Sequence, residues 1–153
     1  MNVVTERRNS LWIFIVAVAI AALPGVLVGP DAWYAALNKP WFNPPNWIFG
    51  PVWSVLYVLI AVAAWRVFRR RGLDGAVVLW IVQLAVNASW SFVFFGAHAL
   101  GLAVVDVLVL LVLAAMTALA FLRRDRTAGR LMVPYVCWVA FASLLAISLY
   151  RLN

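Results

Sequence analysis

Gln83, Asn87 and Trp90 stand four and three residues apart in an apolar run, so on a helix they share one face, which Ser91 and Phe94 continue. Amides are costly in hydrocarbon unless paired. Two roles fit this pair of amides: hydrogen bonds that tie neighbouring helices together, or polar points in the wall of a ligand cavity. Trp90 on the same face suits a cavity that takes something flat and apolar. A second stripe, Tyr135, Trp138, Ala142 and Leu145, repeats at spacings of three and four. Such a stripe serves a helix core as readily as a binding wall, although Ala142 and Ser143 leave room beside Trp138. Asp106 is the one acid well inside an apolar run. It could cap a helix, accept a bond from Asn87 or a tyrosine hydroxyl, or serve as a polar group of the site.

Other reactive residue types are isolated. His98 stands alone between two apolar runs, with no second ligand nearby, so no metal site is expected. Cys137 is the single cysteine, which excludes an internal disulfide, and its apolar neighbours suggest a small packed side chain. Lys39 could neutralise a ligand carboxylate or extend its ammonium to water. No serine–histidine–acid set, carboxylate pair, phosphate loop or metal spacing is present. The buried charges and internal duplication of ion-coupled transporters are missing too.

Stepping outward to the elements that would hold these residues, the stretch 33–57 is unlike the rest of the chain. It carries eight aromatic residues and four prolines. Pro40, Pro44 and Pro45 forbid a regular helix across them. Rings with polar edges favour the headgroup level of a bilayer. A stiff, ring-rich interfacial loop leading into a helix follows, and it could lid a pocket for a flat apolar ligand.

The whole chain is 67% hydrophobic with a mean hydropathy of +1.02, well above soluble domains. Five apolar segments, 11–28, 46–68, 76–97, 100–122 and 131–150, are each long enough to cross a bilayer as a helix. Pro24-Gly25 could kink or stop the first, and Pro134 is expected in the opening turn of the fifth. Short connections make successive helices antiparallel. The expectation is an all-α, integral membrane five-helix bundle forming one domain over 1–153, with the loop 29–45 over a pocket. The run 11–28 is too long for a signal peptide. Small residues spaced by four, Ala17 with Ala21 and Ala114 with Ala118, allow close helix packing inside one bundle or between two.

The net charge of +7 reflects basic residues at the ends of apolar runs, which is an orientation signal and not a nucleic-acid face. Arg7, Arg8, Arg66, Arg69, Arg70, Arg71, Arg123, Arg124, Arg126 and Arg130 fall on one side, with only Lys39 and Arg151 on the other. In a bacterial cytoplasmic membrane this predicts a cytoplasmic N-terminus, with the aromatic loop on the opposite side.

These residues carry a resemblance. Trp33-Tyr34, Leu37-Asn38-Lys39-Pro40, Asn43-Pro44-Pro45, Trp53 and Tyr57 resemble the TspO/MBR family of tryptophan-rich sensory and translocator proteins. Gln83, Asn87, Trp90, Phe94-Phe95-Gly96, Asp106, Pro134-Tyr135, Trp138 and Phe141-Ala142 extend the likeness, in order, over almost the whole chain. The resemblance implies a five-helix bundle whose pocket is closed by the first loop. It implies binding of porphyrins such as protoporphyrin IX and haem, and of isoquinoline and benzodiazepine drugs; animal members also bind cholesterol. The pocket residues it implies are Tyr34, Pro45, Trp53, Asn87, Trp90, Trp138 and Ala142. Gln83, Asp106 and Phe42 join them as candidates, Phe42 standing where many members carry tryptophan two residues before Pro-Pro. Some bacterial members degrade protoporphyrin in light and oxygen through pocket tryptophans, here Trp53 and Trp138. An indole stacked on a porphyrin can donate an electron to the excited ring. The cholesterol motif is broken by Ile147 and by Tyr150 abutting Arg151, so a sterol is not the expected ligand. A homodimer is a further implication.

The expected function is therefore tetrapyrrole sensing, transport or scavenging, with porphyrin as ligand and no required cofactor. The alternatives are a photochemical porphyrin-degrading enzyme and a lipid-binding scaffold for other membrane proteins.

Overall fold

The computed structural model describes residues 9–153. Arg7 and Arg8, part of the orientation argument, lie outside the described residues. Among the described residues six α-helices follow in order: α1 Leu11–Leu27, the short α2 Ala32–Ala36, α3 Asn46–Arg71, α4 Gly75–Ser91, α5 Leu100–Leu122 and α6 Arg126–Leu152. A π-helical turn, Phe92–Gly96, extends α4. There is no strand among the described residues. Asn46–Arg71, Gly75–Gly96, Leu100–Leu122 and Arg126–Leu152 are long and apolar enough to cross a membrane, and Leu11–Leu27 is a shorter apolar helix.

Helices α2, α4 and α6 start where an aspartate can take the free N–H groups of a first turn. Asp74 accepts from Ala76 and Val77, and Asp125 from Thr127 and Ala128. The Asp125 cap explains why α6 begins at Arg126 and not near 131. The stretch 123–130, expected as a connection, is instead mostly helix. Pro134 consequently sits inside α6 and not in its opening turn. Helix α3 likewise runs past 68 through three arginines, good helix formers, to Gly72, whose φ of 71° suits a residue without a Cβ. Pro24 neither stops nor interrupts the end of α1: Val28 N still reaches Pro24 O at 2.9 Å.

Close packing joins the elements. A Cβ on Gly129 would sit 2.6 Å from Leu122 Cα, so α5 and α6 touch backbone to backbone where they meet. Ala61, Ala63, Ala64, Ala103, Ala114 and Ala128 are all fully buried, and small residues on facing helices permit that approach. The aromatic core is built by Phe14 against Phe68 and Trp80, each at 5.5 Å. Cys137 is exposed on the outside of α6, contrary to the packed position its neighbours suggested. An apolar outer face is normal for a helix that meets lipid, so apolar neighbours do not identify a buried position.

At the arginine-rich end, Asp125 is paired with Arg66 and Arg70 at 3.1 and 3.2 Å, and Asp74 with Arg124. At the other end, α6 is fastened to the aromatic loop. Asn153 Nδ2 donates to Asn38 O, and Asn38 N donates to Asn153 Oδ1.

Candidate functional site

The loop 29–45 is more structured than its prolines implied, because it contains α2. Asp31 caps that helix by accepting from Tyr34 N at 2.9 Å, a bond that holds the Asp31 carboxyl below its usual range. Lys39 closes the other end, its Nζ donating to the carbonyls of Tyr34, Ala35 and Leu37 at 2.6, 3.1 and 3.2 Å. It also lies 4.7 Å over the Tyr34 ring. Lys39 is thus committed to the loop's own carbonyls, neither facing a ligand nor extended to water. His98 is not alone either: its ring stacks on Trp33 at 4.1 Å and its Nε2 meets Asp31 Oδ2 at 3.1 Å. Sequence spacing could not show a pairing across 67 residues. The signal for α2 itself was present, an Asp followed three residues later by the N–H it caps.

Tyr34 hangs from α2 into the bundle and is 4% exposed. Burial raises the pKa of its phenol, against the smaller opposing effect of its bond to Asn43. Beneath it lies a cavity of about 380 Å³. Its wall draws on α1 and the four membrane-length helices: Gly25 from α1, Trp53 and Tyr57 from α3, Asn87 and Trp90 from α4, Leu110 from α5, and Trp138 and Ala142 from α6. Phe94 and Phe95 are consecutive, yet both reach the cavity. The π-helical turn, closed by Ala97 N on Phe92 O at 2.8 Å, narrows the angle between neighbouring side chains and aims both rings inward. Trp90 stacks on Phe94 with centroids 4.8 Å apart and planes 14° apart. None of the lining residues is charged.

One hydrogen-bonded chain braces this wall. Tyr57 OH donates to Asn87 Oδ1 at 2.7 Å, Asn87 Nδ2 donates to Tyr135 OH at 3.3 Å, and Tyr135 OH donates to Gln83 Oε1 at 2.7 Å. Asn87 is thereby paired at both its polar atoms and Gln83 at its carbonyl, while Gln83 Nε2 has no partner among the described residues. The indole nitrogens of Trp90 and Trp138 are likewise buried without an acceptor among the described residues, as are those of Trp65 and Trp80 away from the cavity.

Of the candidates, Tyr34, Trp53, Asn87, Trp90, Trp138 and Ala142 border the cavity together. Four others lie outside its wall. Gln83 is fully buried behind Asn87, spent on Tyr135. Asp106 accepts from Ser89 Oγ at 3.0 Å, and from neither Asn87 nor a tyrosine. Phe42 packs edge-on to Phe141, and Pro45 forms the N-cap of α3. Tyr57, Phe49 and the π-turn rings Phe94 and Phe95 line the cavity but were not counted among the candidates. Their neighbours in the sequence were a usable signal for Tyr57 and Phe49, which lie four residues either side of Trp53. Phe94 continues the Trp90 face at a spacing of four, whereas the π-turn that also brings in Phe95 left no such trace.

A helical membrane protein whose apolar helices surround one uncharged, tryptophan-walled cavity is the class that fold and geometry define. The TspO/MBR family model matches residues 12–151, and the chain belongs to the TspO/MBR family. It is 41% identical over 140 residues to a tryptophan-rich sensory protein of Cereibacter sphaeroides, covering 92% of this chain and 89% of that one. Protein CrtK of Rhodobacter capsulatus is 42% identical over 147 residues, covering 92% and 91%. The human translocator protein is 40% identical over 126 residues, covering 79% and 75%.

Proposed function

We propose that this membrane protein binds a porphyrin, protoporphyrin IX or haem, in the cavity beneath α2, for tetrapyrrole sensing, transport or scavenging. The observation that carries the reading is the convergence of Trp53, Trp90 and Trp138 on one cavity without a charged residue. Flat indole faces match a flat macrocycle. With no cation in the wall, the ligand's carboxylates belong at the loop end, toward water. Tyr34 and Pro30 on the cavity's rim support the role of 29–45 as its lid. Family membership supports five spanning helices, of which the length of four supports the crossing directly, with the arginine-rich end cytoplasmic. A homodimer is part of the same reading, supported by the family alone.

Titrating the purified protein with protoporphyrin IX should quench tryptophan fluorescence saturably. Trp53→Phe with Trp138→Phe should weaken affinity and quench together. An unchanged titration in that double variant overturns the assignment.

A second reading is light- and oxygen-dependent degradation of the porphyrin. The position of both Trp53 and Trp138 on the cavity wall favours it, because each could supply an electron to the excited ring. It predicts bleaching of the Soret band under illumination faster than for porphyrin in detergent alone, and slower in the same double variant.

A further inference from the structure

We propose that the cleft at the arginine-rich end of the bundle, between the last turns of α3 and the α5–α6 turn, binds a phosphate ester. Arg66, Arg70, Arg123, Arg124 and Arg126 surround it, with Asp125 at its base. The cleft measures about 440 Å³. An orientation signal requires only that positive charge lie near helix ends; it does not require that charge to be gathered round a concavity. Here it is gathered, and it is held in place. Asp125 has a side chain 2% exposed and takes Arg66 and Arg70, while Asp74 takes Arg124. Both carboxylates also accept two backbone N–H groups each, which fixes them at the helix starts. Arg123 and Arg126 are exposed and have no acid partner among the described residues.

The ordered trio thus frames the cleft while the unpaired duo supplies its unspent charge. Guanidinium forks match the oxygens of a phosphate in bidentate fashion, which an ammonium cannot do. Leu122 in the lining and the position at the ends of two membrane-length helices set the cleft at the depth where lipid phosphates lie. The phosphate therefore comes from an anionic lipid headgroup or from a soluble phosphorylated anion.

The test uses the full-length protein in neutral detergent, titrated calorimetrically with dihexanoyl phosphatidylglycerol, dihexanoyl phosphatidylcholine and inorganic pyrophosphate in turn. Saturable binding of an anionic probe is expected, with the zwitterionic lipid at least about tenfold weaker. The Arg123→Gln/Arg126→Gln variant should lose about tenfold or more in affinity, the usual effect of removing charge-assisted bonds. Arg71→Gln/Arg130→Gln removes the same charge outside the cleft and should change affinity by less than about threefold. Binding of the lipid but not pyrophosphate assigns the cleft to a headgroup; displacement of the lipid by pyrophosphate assigns it to phosphate esters generally. Equal losses in the two double variants, or no saturable binding of either anion, overturns the proposal.

Discussion

The phenol of Tyr57 donates to Asn87 Oδ1 at 2.7 Å, and this one bond joins α3 to α4 at the wall of the cavity. Through Asn87 the connection continues to Tyr135 on α6 and ends on Gln83. The same amide therefore both completes the cavity surface and braces three helices around it.

Tyr135→Phe removes the middle of that chain and strands Gln83 Oε1, a fully buried acceptor, without its donor. The expected loss is about 1–2 kcal/mol, in line with interhelical hydrogen bonds in membrane proteins. Thermal unfolding in detergent should show it as a lower midpoint. Tyr57→Phe should cost less, because Asn87 borders the cavity, where water can replace the lost phenol.

Ala142→Leu adds three carbons to the cavity wall beside Trp138 without altering any hydrogen bond. Porphyrin affinity should fall by about tenfold or more while the unfolding midpoint changes little, because the side chain grows into empty space. A normal titration with this variant would show that the ligand sits elsewhere.

Gly129→Ala tests the contact that fixes the α5–α6 turn. The added Cβ would lie 2.6 Å from both Leu122 Cα and Cβ, and backbone cannot yield cheaply. A loss of about 2–3 kcal/mol is expected, the range for overpacking a tight interior. Gly75→Ala, where a Cβ meets nothing within 4 Å, is the matched control and should be tolerated.

Acid should weaken the arginine-rich end. Burial opposes the charge of Asp125, but the Ala128 N–H and the guanidiniums of Arg66 and Arg70 outweigh it and hold the carboxyl below its usual range. Asp74 behaves likewise, with Arg124 and the N–H groups of Val77 and Ala76 overcoming burial. Each folded-state pKa lies below the unfolded value, so the stabilisation is complete above about pH 4 and is lost as pH falls through the lower folded values. The unfolding midpoint should therefore hold down to about pH 4 and drop as the pH falls below it. Asp125→Asn should lower the midpoint at neutral pH and flatten that drop.

The bundle was legible because each span announces itself through uninterrupted hydrophobicity, and no fold can satisfy a backbone in lipid except by helix or closed barrel. Trp53, Asn87, Trp90 and Trp138 were legible for a related reason: polar and flat residues stand out against leucine and valine. The fates of the remaining polar groups were not. Gln83 and Asn87 share one helix face, yet only the second borders the cavity, since the Tyr135 hydroxyl reaches in from α6 and occupies the first. The bonds of Lys39 and His98 were not legible in the sequence because their partners are backbone carbonyls and an aspartate 67 residues away.

Composition and periodicity by themselves determined that this chain is helical, lipid-facing and ring-rich at one end, because those properties follow from the solvent each stretch must meet. Which rings face inward, which amide reaches the cavity and where the arginines close on their aspartates were decided only in three dimensions. Contacts between helices depend on rotation and depth, and a π-turn after Ser91 or a cap at Asp125 resets both without altering the hydrophobic pattern.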